Sequence, residues 1–439
     1  MADVPVARDL GARDLLRLPD FRRLYIAQAI SDLGDGMTYL ALFLLVLQLT
    51  GSTAAIAVMS ILVALPPVTV GLVAGAIADR TDRRRIMIAS DAIRAVVMLA
   101  MVPAAIAGQV PLLMGLALVQ AVVGTFFGPA RGAVVPRAVP VEGLLAANSL
   151  GQSTRMIMGV VGAGITGVVA SLSAVAWPVL IVDAATFAIS ALIVLRVSGP
   201  LGIPEAQAAA DAAGGTAPKE GLGAAVREGL RIIARSRALV ATLTGIAVTM
   251  LGVGAINVLF VPFIVRDLGA SPAWTGLFDG AQVLAMVIAG GLVPTLAARF
   301  STSRLFTIGL VGAGVCTGLM AMAPNPPVVL LILFAVGWFV MPIQVTSATL
   351  ITLATDDTSR GRVGGALNAV VQLATIVSMA VAGILADVVT IRGVFVGGSA
   401  IVLVAAVLTW WLFRGATVPD GGRPVAAAAP EAAGAGAEA

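Results

Sequence analysis

Residues 54–107 read AAIAVMSILVALPPVTVGLVAGAIADRTDRRRIMIASDAIRAVVMLAMVPAAIA. Two apolar runs, 54–78 and 86–107, flank a loop at 79–85 that carries four arginines. Each run is long enough, as a helix rising 1.5 Å per residue, to cross a hydrocarbon core about 30 Å thick. A charged loop between two such runs is the pattern of a chain that enters and leaves a membrane.

The pattern recurs outward in both directions. Apolar runs fall at 24–49, 54–78, 86–107, 111–130, 149–172, 177–197, 239–265, 273–298, 305–323, 327–354, 363–388 and 394–413. Twelve spans are expected, in an all-α membrane protein built as two six-helix bundles. Composition agrees: of 439 residues 59% are apolar and 11% charged, with a mean hydropathy of +1.03, whereas soluble domains carry about a quarter charged residues. The acidic, arginine-mixed residues 1–20 do not read as a cleaved signal peptide, so the first span is expected to remain in the mature protein.

Arginine distribution sets the orientation. If residue 1 lies in the cytoplasm, 23 of the 27 Lys and Arg residues fall on the cytoplasmic side; Arg266 and Arg392 lie outside, and Arg94 and Arg155 within spans. The positive-inside rule then places both termini in the cytoplasm. The same scatter of basic residues over short loops argues against nucleic acid as the partner of this +4 chain. The expected units are an N-terminal bundle with its short leading segment (1–198), a cytoplasmic linker with a surface helix (199–238), a C-terminal bundle (239–413) and a disordered Ala/Gly/Pro/Glu tail (414–439).

Absent residues limit the chemistry. There is no histidine, one cysteine (Cys316) and one lysine (Lys219) outside any phosphate-loop motif. Histidine-based triads, disulfides, His/Cys zinc sites and a nucleotide-driven pump of the phosphate-loop kind are therefore excluded. No enzyme activity, metal or cofactor is expected, and carboxylates remain as proton carriers.

The loop Gly75-Ala-Ile-Ala-Asp79-Arg80-Thr-Asp82-Arg83-Arg84-Arg85 resembles the G-x-x-x-D-R-x-G-R-R signature of the major facilitator superfamily, with Asp82 where the pattern has glycine. Further stretches resemble the bacterial branch that exports macrolides, tetracyclines and enterobactin. They are Phe21-Arg22 through Ser31-Asp32-Leu33-Gly34-Asp35, Phe127-Gly128-Pro129-Ala130 to Ala147-Asn148-Ser149, Glu228-Gly229-Leu230 and Arg360-Gly361-Arg362-Val363. Two positions depart from many drug/proton antiporters: Gln120 stands where they carry arginine, and Gly162-Ala163-Gly164-Ile165-Thr166-Gly167 where they have G-P-x-x-G-G. A glycine at 75 lets the second span approach a neighbour, and Asp79 suits a helix N-terminus. The resemblance implies that this helix is the eleventh, starting near Arg362, and that Gly75, Asp79, Arg80 and Arg84 form a gate latching the halves while the protein faces outward.

Ionisable groups inside spans cost about 2.5–3.5 kcal/mol each on insertion scales, which marks them as functional candidates. Asp32 and Asp35, three residues apart, share a face of the first helix. Asp35 lies roughly 15 Å beyond the edge near Tyr25, close to the midplane, with Gly34 and Gly36 expected to permit a bend. Desolvation and a neighbouring like charge both favour the protonated acid, so the pair is expected to bind and release a proton, tuned by Arg155; a structural partnership with Arg155 is the compatible alternative. Asp279 is expected as a second proton or cation site. Gln120, Asn257, Gln282, Gln344, Asn368 and Gln372, with Phe260 and Trp338, are the expected ligand contacts, each amide having an interhelical hydrogen bond as its alternative. Asp91 and Arg94 are spaced to pair with each other on a peripheral helix, and Asp183 is left without a role.

The expected function is secondary transport: proton-coupled efflux of an amphipathic organic compound by a chain acting as a monomer in the bacterial inner membrane. An exporter of one dedicated siderophore or self-made antibiotic, and a lysophospholipid-handling or non-transporting sensor or scaffold, are the competing readings.

Overall fold

The computed structural model describes residues 11–173, 175–197, 222–385 and 388–414, with no strand among them. Linker residues 199–221 and tail residues 415–439 lie outside the described residues, as do the side chains of Asp79 and Arg80. A one-turn helix α1 (Ala12–Leu15) precedes α2 (Pro19–Thr50), α3 (Thr53–Thr69), α4 (Gly71–Arg80), α5 (Arg83–Ile106), α6 (Val110–Ala138), α7 (Leu144–Ser173) and α8 (Pro178–Val194). The surface helix α9 (Leu222–Arg235) leads to α10 (Arg237–Pro262), α11 (Trp274–Arg299), α12 (Thr302–Met322), α13 (Pro326–Leu353), α14 (Asp357–Leu385) and α15 (Ile391–Arg414). Among the described residues ten helices are long and apolar enough to cross a membrane, while Thr53–Thr69 and Pro178–Val194 are shorter apolar helices.

Local sequence explains the boundaries. Pro19, Pro178 and Pro326 open helices, where their missing N–H costs nothing. Ser52, Asp82, Ser236 and Asn325 cap the first turns of α3, α5, α10 and α13 with side-chain oxygens. Asp82 thus accepts from the Arg84 amide at 3.0 Å, so the turn that the superfamily pattern builds with glycine is built here by a carboxylate cap. Gly51, at φ 62°, closes α2 in the left-handed conformation that a side chain disfavours. The second apolar run is divided: Pro66 and Pro67 remove two amide donors, α3 stops at Thr69 and α4 resumes at Gly71.

Two expectations are revised. Helix α2 runs unbroken through Gly34 and Gly36; these glycines serve packing instead of a bend. A Cβ at Gly36 would lie 2.7 Å from the Gly159 carbonyl oxygen of α7, and one at Gly34 would collide with Asp183 and Thr186 of α8. The eleventh apolar run begins its helix at Asp357, five residues ahead of Arg362.

Helices α2 and α5–α8 pack among themselves, as do α10–α15. The two groups meet where α7 crosses α11 and α3 crosses α14. Small residues permit both crossings: Gly164 lies on Gly276, Gly167 on Pro272 and Ala273, and Gly383 on Ala57. The Ser171 and Ser271 hydroxyls are 2.6 Å apart, and Arg266 donates to the Gly51 carbonyl. All these contacts lie toward the end opposite the basic loops. One apolar cluster spans both groups there, from Met37–Leu47 through Ala163 to Phe263, Phe278 and Phe395. Toward the basic-loop end the apolar clusters are separate, one pair within each group. The groups are therefore joined at one end and parted at the other.

Candidate functional site

A cavity of about 350 Å³ opens among α2, α3, α5, α6 and α7. Its apolar wall comes from Tyr39, Leu42, Phe43, Val63, Pro67 and Phe127; its polar groups are Asp32, Asp35, Thr38, Arg94, Gln120 and Arg155. One face of α2 supplies both aspartates, as their spacing requires.

The two aspartates differ in setting. Asp32 is buried, accepts from Gln28 at 3.1 Å and lies 3.7 Å from the Arg155 guanidinium. Asp35 keeps 48% of its side chain exposed to the cavity and is ion-paired with Arg94. Arg94, whose side chain is 6% exposed, stacks at 3.8 Å over the Phe187 ring and is also 4.0 Å from Asp91. Asp91 is fully buried; one carboxylate oxygen accepts from Ser190 at 2.6 Å and the other has no hydrogen-bond partner. Asp183, also fully buried, is held by Thr38 and, at 2.9 Å, by Thr186. Four carboxylates and two arginines thus occupy one bundle interior. No group of three or more acidic or cysteine side chains among the described residues is placed to hold a metal ion.

Gln120 is buried and points both amide groups into this region with no partner. Within an apolar bundle an unsatisfied amide costs about 1–3 kcal/mol, which a hydrogen-bonding ligand would offset. Asp279 projects from α11 within electrostatic range of Tyr39, across the junction of the two groups. The cavity takes no residue from the C-terminal group. Asn257, Gln344 and Asn368 are exposed on α10, α13 and α14, and Gln282 and Gln372 are half-buried. Phe260 stacks edge-on against Phe278 at 5.9 Å, and Trp338 against Phe334 at 6.5 Å.

Gly75 stands in open space, with nothing within 4 Å of a Cβ built there. Arg84 turns to the end of α8, donating to the Val194 carbonyl at 3.2 Å and to that of Leu195, a cation on a helix C-terminus. In this arrangement neither residue touches the other group.

Residues 13–419 match the transmembrane secretion effector family of the major facilitator superfamily. The chain belongs to that family. The chain is 27% identical over 406 residues to the multidrug efflux pump Tap of Mycolicibacterium fortuitum, spanning 89% of the chain and 95% of the relative. It is 27% identical over 387 residues to the uncharacterized transporter YfiS of Bacillus subtilis, spanning 83% and 86%. Among solved structures, the nucleoside transporter NupG superposes with a TM-score of 0.73 at 13% identity, over 90% of this chain and 99% of that one. A bacterial homolog of the human lysosomal transporter Spinster, inward-facing and unoccupied, gives 0.69 at 15% identity, over 92% and 98%. At such identities the structures speak to fold alone. As a member of this family the chain is a multi-pass membrane transporter and not an enzyme.

Sequence reasoning placed Arg94 with Asp91 on a peripheral helix; the structure keeps Asp91 within 4.0 Å but also turns Arg94 inward to Asp35. The signal was present, since Arg94 is one of only two basic residues inside apolar runs, but its i, i+3 partner made it look self-contained. Asp183 is likewise drawn inward, by a threonine on α2 that no motif marks.

Proposed function

We propose that this protein exports amphipathic organic compounds in exchange for protons, by alternating access of two six-helix bundles. In this reading twelve spans cross the membrane, with residues 1–198 and 239–413 as the bundles and both termini in the cytoplasm. Three supports come from different levels. The arginine distribution puts the basic loops inside; the bundles are joined at the opposite end, so the cleft faces the cytoplasm; and the chain is similar to a multidrug efflux pump.

The observation that carries the reading is the Asp35–Arg94 pair at the cavity wall. With Asp35 ionised, Arg94 is shared between it and Asp91. A proton arriving on Asp35 removes one of these attractions and lets Arg94 settle on the open oxygen of Asp91. Asp35 then leaves the wall neutral, and the cavity loses a charge that held a ligand. Asp32 and Arg155 form the neighbouring pair that tunes this step, and Asp279 lies across the junction on the second bundle, within electrostatic range of Tyr39. A mostly apolar wall favours a range of lipophilic ligands over one dedicated product. Gly75, Asp79, Arg80 and Arg84 serve the opposite, outward-facing state, in which the parted ends close; the free space at Gly75 is what an unlatched gate requires.

Proteoliposomes that report internal pH and substrate together test the coupling. In the wild type, addition of a lipophilic drug moves protons against it. Asp35→Asn should abolish that proton movement while the protein still inserts and folds; pH-dependent transport at the wild-type rate would refute the proposal.

A further inference from the structure

We infer that a second site, remote from the transport cavity, binds a phosphate group where the α11–α12 turn meets the end of α15. A cavity of about 370 Å³ is lined there by Ser301, Ser303, Arg304, Thr307, Trp410 and Arg414. Two arginines share it, no carboxylate lines it, and among the described residues neither arginine has a hydrogen bond or an ion pair. Arg414 instead lies 3.6 Å over the Trp410 ring, a cation–π contact beside the cavity that both residues line. A third arginine, Arg237, stands 5.9 Å from the adjacent Trp411 ring. The Ser301 and Ser303 hydroxyls, 3.3 Å apart, share one hydrogen bond and so leave one O–H to donate to a ligand, while Thr307 donates to the Ser303 carbonyl at 2.9 Å. Paired guanidinium groups with hydroxyls are the donor set for a tetrahedral oxyanion.

The surroundings favour a lipid as the bearer of that phosphate. Helices α12 and α15 pack together, and from the cavity their outer faces continue as exposed Ile308, Val311 and Val315 on one side and Val404, Val407 and Leu408 on the other. A polar cradle above an apolar flank, at the level of two tryptophans, fits the headgroup and chains of an anionic phospholipid. The assignment to the cytoplasmic leaflet rests on the proposed orientation; the phosphate site itself does not.

The full-length protein in detergent, offered equal amounts of phosphatidylglycerol and phosphatidylcholine, provides the test, with retained lipid counted by native mass spectrometry. The wild type should retain phosphatidylglycerol in about tenfold preference, and R304Q/R414Q should bring the two lipids to parity. Ser303→Asp, which keeps both arginines but adds a competing carboxylate, should do the same. R13Q/R17Q, which removes equal charge from α1 and the turn that follows it, should keep the preference. A second arm measures thermal stabilisation by inorganic phosphate: no effect assigns the site to lipid, and saturable stabilisation lost in R304Q/R414Q assigns it to a free phosphate. Equal retention of both lipids by the wild type, or an unchanged preference in R304Q/R414Q, with no effect of inorganic phosphate, would overturn the site. Transport activity enters none of these readouts, so failure here and failure of the efflux reading are separable.

Discussion

Arg94 and Arg155 look alike in the sequence, single arginines within apolar runs, yet their burial assigns them different energetic weights. Removing Arg94 leaves Asp91 fully buried without a cation, and breaking a buried pair costs about 3–5 kcal/mol. Arg155 is half exposed and 3.7 Å from its partner, a contact worth about 1 kcal/mol or less. Arg94→Gln should therefore lower thermal stability in detergent far more than Arg155→Gln, and adding Asp91→Asn to Arg94→Gln should restore part of the loss. Equal losses for the two arginines, or no recovery in the double variant, would contradict the shared pairing. Asp32 and Asp35 were legible from sequence because their spacing is local to one helix. Arg155 was anticipated beside this pair and lies 3.7 Å from Asp32; the pairing of Asp35 with Arg94 was not, because it depends on how α5 is rotated about its axis, and a largely apolar helix carries little periodicity to set that rotation.

At the scale of elements, glycine placement decides which helices touch. Gly36 sits where α2 meets the backbone of α7, and Gly75 faces open space in this arrangement. A methyl group at Gly36 forces the helices apart, and overpacking of this kind costs about 1–3 kcal/mol. At Gly75 it meets nothing, so the intrinsic preference of alanine for helix prevails. Thermal unfolding should show Gly36→Ala below the wild type by several degrees and Gly75→Ala at or slightly above it; the reverse order would show that the packing of α2 on α7 is misassigned. Apolar runs made the helices themselves readable and most of their ends to a few residues, but α6 continues eight residues past the run that ends at 130 and α14 starts six residues before the run that begins at 363. The role of Gly34 and Gly36 was not readable, because a glycine that permits a bend and one that permits a close approach have the same sequence. The break at Pro66-Pro67 follows from the missing donors, but whether the halves of the run bend or continue depends on neighbours.

Across the whole molecule, the junction at the end opposite the basic loops holds one conformation. Ser171 and Ser271 belong to different groups and their hydroxyls nearly touch, while the single native cysteine, Cys316, is buried. Oxidation of Ser171→Cys/Ser271→Cys should therefore lock the junction and reduce transport to background, and reduction should restore it. Full activity after quantitative cross-linking would mean that this junction does not open during turnover. The all-helical membrane fold and its family were legible in the apolar runs and the loop signature, whereas the distribution of apolar contacts between the ends emerges only from packing. That distribution has a thermal consequence. In the proposed rocking, parting the joined end hydrates leucine, phenylalanine and methionine side chains, whereas the end that closes carries the arginine-rich loops. Apolar and polar hydration contribute to heat capacity with opposite signs. If the proposed rocking holds, the balance between the two facings should thus bend with temperature, so that calorimetry of this transporter reports how it rocks.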